Sequence, residues 1–206
     1  LFRSLEIKIG GLHGPEALSP VGGIEIDTHG DLYVLQPMDA TIRMFDAEGR
    51  AMGSLGVCGG GPGEFQVPLQ MGWLADTLWV LDPPSQRISF WRDGTLAGTL
   101  RVEGLDFGSD FPPAYPIAVL NDGAFLVAAV PRTDPDGHRV VENAIVVRVR
   151  RDGTVEGRLA VLRATDRVVL KTPAGSLIRL SYQPFEDSTI LRVSPDGERI
   201  VLVERT

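Results

Sequence analysis

Five glycines fall within ten residues in Gly56-Val-Cys-Gly-Gly-Gly-Pro-Gly-Glu-Phe65. Such a loop can turn its backbone N–H groups onto a phosphate. A phosphate loop needs Gly-x-x-x-x-Gly-Lys-Ser/Thr opening a helix, and a dinucleotide loop needs Gly-x-Gly-x-x-Gly. Here no lysine follows, no helical periodicity follows, and the dinucleotide spacing fails at every register between Gly56 and Phe65. The run therefore reads as a link between two repeats.

Other reactive residue types are dispersed. His13, His29 and His138 stand far apart, in neither His-x-x-x-His nor His-Glu-x-x-His spacing, so no zinc site is read. His29 belongs to a turn. Thr133-Asp-Pro-Asp-Gly137 alternates aspartates as a calcium loop does, but the EF-hand frame of glycine at position six and bidentate glutamate at twelve is missing, which leaves a loop tip. No Gly-x-Ser-x-Gly elbow occurs. Cys58 has no basic neighbour in sequence to favour a thiolate.

Composition bounds the partners. The net charge of -7 and the scattering of 20 Lys and Arg residues exclude a nucleic-acid partner, which needs clustered cations. Acidic lipid surfaces are disfavoured for the same reason. No apolar run reaches the roughly 18 residues a bilayer span requires. One cysteine forms no internal disulfide and leaves the compartment open. The chain opens on Leu1 without a charged and apolar leader, as expected of a chain whose leader was removed or of a segment of a longer one. The 24 glycines and 15 prolines favour short elements joined by tight turns, hence an all-β chain.

The elements that would position any site repeat along the chain. Gly30-Asp-Leu-Tyr-Val-Leu-Gln36 matches Asp76-Thr-Leu-Trp-Val-Leu-Asp82 almost position by position. Each is followed by a second alternating run, Thr41-Ile-Arg-Met-Phe-Asp46 and Arg87-Ile-Ser-Phe-Trp-Arg92, and then by Glu-Gly or Asp-Gly. A weaker third copy holds Asn121-Asp-Gly-Ala-Phe-Leu-Val127 and Val147 to Gly153, and a fourth begins at Ser194-Pro-Asp-Gly197. Leu32, Leu78 and Phe125 are spaced by 46 and 47 residues, the period of propeller blades of four strands. Leu-Tyr-Val-Leu and Leu-Trp-Val-Leu are apolar on both faces, so each sheet must be covered above and below. Val147 and Val149 alternate with Arg148 and Arg150, so there one face meets solvent.

In order, Gly-Asp-Leu-Tyr-Val, Ile-Arg-Met-Phe-Asp-Ala-Glu-Gly and Gly-Gly-Gly-Pro-Gly-Glu-Phe resemble bacterial six-bladed β-propellers of the NHL-repeat type. The resemblance is strongest over residues 20 to 100 and weakest over 164 to 187. It implies a β-propeller with four-stranded antiparallel blades and an incomplete ring, about three and a half blades, since six exceed this length. The expected segments are 1–10 as the outer strand of a preceding blade, blades at 20–56, 70–104 and 115–163, and 168–206 as an insertion and the start of a further blade. Uncovered edges such as Leu5-Glu-Ile-Lys-Ile9 are then expected to make the isolated segment self-associate.

The same resemblance makes the glycine run a connector from the outer strand of one blade to the inner strand of the next, with Phe65 anchored in the interblade core. Glu64 would line the channel or cap a turn. Asp82 and Arg87 would pair within their blade, with Gln36 and Arg43 in the corresponding place. Two function classes follow. One is a ligand- or protein-binding scaffold of the bacterial envelope, periplasm or secreted fraction, holding a protein, peptide or glycan through Tyr115, Tyr182, Gln183, Phe185 and Glu186 and needing no cofactor. The other is a metal-dependent hydrolase or lyase with carboxylates in the channel. There the ligand chemistry favours calcium, and Asp39, Asp82 and Asn121 are the candidate ligands.

Overall fold

The computed structural model describes residues 8–10, 17–108, 112–130, 143–163, 167–171, 177–182, 190–194 and 199–203. The chain divides into two compact units, Leu1–Glu103 and Gly104–Thr206. In the first, β1 (Gly23–Ile26), β2 (Leu32–Gln36), β3 (Thr41–Phe45) and β4 (Ala51–Leu55) form an antiparallel sheet in chain order. A single 3-10 turn, Pro37–Asp39, joins β2 to β3. The glycine run then forms two short strands, β5 (Val57–Cys58) and β6 (Glu64–Phe65), which pair in parallel. A second four-stranded antiparallel sheet follows, from β7 (Gln70–Leu74), β8 (Thr77–Asp82), β9 (Arg87–Arg92) and β10 (Thr95–Arg101).

The register explains how these two blades pack. Leu35 stands opposite Ile42, and Ile42 opposite Leu55, so one apolar row crosses the first sheet on one face. It meets Leu78, Val80 and Trp91 of the second sheet, with Phe65 buried among them. Tyr33 of β2 meets Trp73 of β7 edge-to-face with ring centroids 5.0 Å apart, a favoured aromatic geometry. All six residues of β8 are buried, as its two apolar faces require. The hairpin turns use aspartate and glycine: Asp27 and Asp46 accept backbone N–H groups two and four residues ahead, while Gly30 and Gly49 take the positive φ that closes each turn.

The second unit opens on a bridge between Leu105 and Ala114. It contains the antiparallel sheet of β11 (Pro116–Val119), β12 (Phe125–Ala129), β13 (Asn143–Val149) and β14 (Val155–Arg163). Two hairpins follow, β15 (Arg167–Lys171) with β16 (Leu177–Tyr182), and β17 (Ile190–Val193) with β18 (Ile200–Val203). The stretch expected as an insertion thus carries an antiparallel strand pair, with a register shift between Leu170 and Lys171. Residues 1–7 of the expected opening strand lie outside the described residues, and Lys8 and Ile9 take no strand. The longest helix among the described residues is the three-residue 3-10 turn.

Candidate functional site

The site most fully built from the described residues is one end of the first two blades. There β1 and β7 begin, β2 and β8 end, and the strap 56–67 crosses from blade to blade. Asp82 closes β8 and is fully buried. Its Oδ2 accepts the Gln66 backbone N–H at 2.8 Å and the Ser85 hydroxyl at 2.6 Å, and its Oδ1 accepts the Val67 N–H at 3.0 Å. Arg87 opens β9 directly opposite Asp82. Its Nη2 donates to the Glu64 carbonyl at 2.7 Å and its Nη1 to the Gly60 carbonyl at 3.3 Å.

The expected pairing of Asp82 with Arg87 therefore gives way to a clamp. Among the described residues no ion pair joins them, and each holds the strap instead. The reason is the number of half-buried strap N–H and C=O groups that these two side chains satisfy. Glu64 caps its own turn, with Oε2 accepting the Gly61 N–H at 2.7 Å.

The first blade repeats the clamp with other chemistry. Buried Gln36 donates Nε2 to the Ser19 hydroxyl at 2.9 Å, and the Thr41 hydroxyl lies 3.1 Å from the Leu55 carbonyl and 3.3 Å from that of Gly56. Register sets Gln36 opposite Thr41, whereas Arg43 stands opposite Val34 and over the Phe45 ring at 5.5 Å. The expected Gln36 and Arg43 pair is therefore displaced by two residues, because the β2–β3 and β8–β9 loops, 37–40 and 83–86, have equal length.

The candidate metal ligands stand in three different settings. Asp39 is exposed on the 3-10 turn. Asp82 is buried and bonded as described. Asn121 lies in the β11–β12 turn, the opposite end of its blade from the one Asp82 occupies in its own. Among the described residues no three His, Cys, Asp or Glu side chains gather as a metal would require. His29 is an exposed turn residue and Cys58 is exposed on β5. Half-buried Tyr115 lays its ring over Gly104, and Tyr182 is the last residue of β16. His13, His138, Thr133 to Gly137, Gln183, Phe185 and Glu186 lie outside the described residues.

Sequence reasoning missed the apolar side chains at this end. Val21 is 46 % exposed, Met38 77 %, Val67 38 % and Leu69 49 %. Each adjoins a proline, in Pro20-Val21, Pro37-Met38 and Val67-Pro68-Leu69, and that adjacency was the available signal. Proline fixes φ and removes a donor, so these apolar residues ride on stiff loops rather than in strands. The end offers apolar contact area beside a polar clamp.

No family model and no curated protein matches the chain. Among solved structures, the chain is similar to a protein from Bacteroides fragilis described as exported, at 17 % identity and TM-score 0.54, over 97 % of this chain and 53 % of that one. Hydrazine synthase from Kuenenia stuttgartiensis matches at 12 % identity and TM-score 0.48, over 94 % and 77 % of the two chains. Virginiamycin B lyase from Staphylococcus aureus matches at 11 % and 0.43, over 89 % and 69 %. The chain spans about half the length of the Bacteroides fragilis protein. The fold is an all-β β-propeller with four-stranded antiparallel blades.

Proposed function

We propose that this chain is a binding scaffold whose strap end, around Val21, Met38, Val67 and Leu69, receives a protein or peptide segment carrying apolar side chains. The observation that carries the reading is the exposure of these four residues on proline-stiffened loops anchored by Asp82, Arg87 and Gln36. Rigid loops lose little entropy on binding, so modest apolar contact can hold a ligand. We also read the repeat as the NHL type of six-bladed propeller. The bacterial envelope or secreted fraction is its proposed location, supported by the likeness to a protein described as exported.

Peptide selection against the immobilised chain tests the binding role, with Met38→Asp/Leu69→Asp as the counter-target. Apolar peptides that bind the parent chain and are lost on the folded double variant are expected. Failure to enrich any peptide, or binding indifferent to both substitutions, would remove the proposal.

A further inference from the structure

The third blade carries a charged depression of about 410 Å³ at the end formed by its β11–β12 and β13–β14 turns. Asp122, Arg148, Arg150, Arg151, Asp152 and Glu156 line it. Each carboxylate there already has partners from the blade. Asp122 accepts the Ala124 N–H at 3.0 Å and pairs with Arg148; Glu156 pairs with Arg148 and accepts Arg150 Nε at 2.6 Å. Asp152 accepts the Thr154 N–H at 2.9 Å. That backbone N–H first, then the Thr154 side chain and the Arg150 charge, hold the Asp152 carboxyl below the usual carboxylate range.

Asp152 makes no ion pair among the described residues, its carboxylate being turned to Thr154, and two arginines keep free donors. The Arg150 ion pair uses Nε, which leaves both terminal nitrogens, and exposed Arg151 has no ion-pair or hydrogen-bond partner among the described residues. A guanidinium fork matches an oxyanion bidentately, and one already held by a carboxylate loses less freedom on binding. The volume falls in the range of small-ligand sites.

We propose that this depression binds a small ligand through an oxyanion group, carboxylate or phosphate, held by Arg150 and Arg151. Recognition is local, because the chain as a whole carries -7 and repels anions at long range, and it is weakened by salt, because both arginines are exposed.

Amide NMR of the 206-residue chain, titrated separately with inorganic phosphate, with glucuronate and with sodium chloride at matched ionic strength, tests the site. Saturating shifts confined to residues 148–156 with either oxyanion are expected, and the responding probe identifies the ligand class as phosphate or carboxylate. Arg151→Ala leaves every ion pair of the cluster in place and should weaken the response roughly tenfold. Shifts that only track chloride, that never saturate, or that persist unchanged in Arg151→Ala would overturn the site. The strap end lies on other blades, so neither result bears on the peptide-binding proposal.

Discussion

The Phe65 ring lies directly against Gly56, so close that a Cβ at Gly56 would stand 2.2 Å from a ring carbon. Gly56 also holds φ at +74°, where only glycine is unstrained. The two features together make the crossing between blades: the chain turns at Gly56 and the ring it accommodates fills the interblade core. Gly56→Ala is expected to cost about 2 to 4 kcal/mol, from left-handed strain and overpacking combined. Urea unfolding measures it. A loss below about 0.5 kcal/mol, the scale of a neutral surface change, would show that Phe65 can move aside.

Asp82 should be as sensitive, for a polar reason. Asp82→Ala leaves the Gln66 and Val67 N–H groups and the Ser85 hydroxyl without their acceptor at a half-buried crossing. Water reaches the exposed Gln66 and Val67, so the roughly 1 to 3 kcal/mol of a fully buried unsatisfied group is an upper bound for each, and about 2 to 4 kcal/mol in total is expected. Hydrogen exchange separates this from general loosening. The Gln66 and Val67 amides should lose protection before the β8 amides do, and simultaneous loss would count against the clamp.

The blades were legible in the sequence because the pattern that names them is local. Alternation, Asp-Gly turns and a period near 46 residues depend on neighbours a few positions away, and Leu32, Leu78 and Phe125 each take the equivalent place in a second strand. The connector was legible too, since neither a lysine nor a helical period follows its glycines and the dinucleotide spacing fails. The clamp was not. Asp82 and Arg87 face each other across a hairpin, and nothing local says that both turn to strap residues 15 to 27 positions earlier. The parallel pairing of β5 with β6 is hidden likewise, because two-residue strands leave no period to read. The apolar loop residues were passed over because apolar side chains ordinarily signal core, and in the sequence only its adjoining proline separates exposed Met38 from buried Met71.

Trp79 tests the burial of the second blade. It is 4 % exposed in the middle of β8, and its ring covers Gly72, its cross-strand partner on β7, where a Cβ would come within 2.8 Å. Trp79→Ala removes a large ring from a site with little means of collapsing, so a loss of about 3 to 5 kcal/mol is expected in equilibrium denaturation. Gly72→Ala should destabilise through the same contact, and the two losses should be less than additive when combined, since removing the ring makes room for the methyl group. Strict additivity would place the cost of Gly72→Ala in the backbone instead.

Acid should weaken the first blade's β3–β4 turn through Asp46. Its carboxylate accepts the backbone N–H groups of Arg50 at 2.8 Å and Glu48 at 3.1 Å, and Arg50 Nε at 2.6 Å. The Arg50 backbone N–H, followed by the Arg50 side chain, holds this carboxyl below its ordinary range. Unfolding removes those donors, so the unfolded carboxyl takes up a proton more readily than the native one, near pH 3.9. The stabilisation from the charge is complete above that value and is lost as pH falls through the lower native one. Asp46→Asn keeps an acceptor and loses the charge. Its deficit against the parent chain in urea midpoint should be constant near neutrality and shrink on acidification below about pH 4. A deficit that grows in acid would reverse the sign, and a flat one would mean that the turn is held by geometry without help from the carboxylate charge.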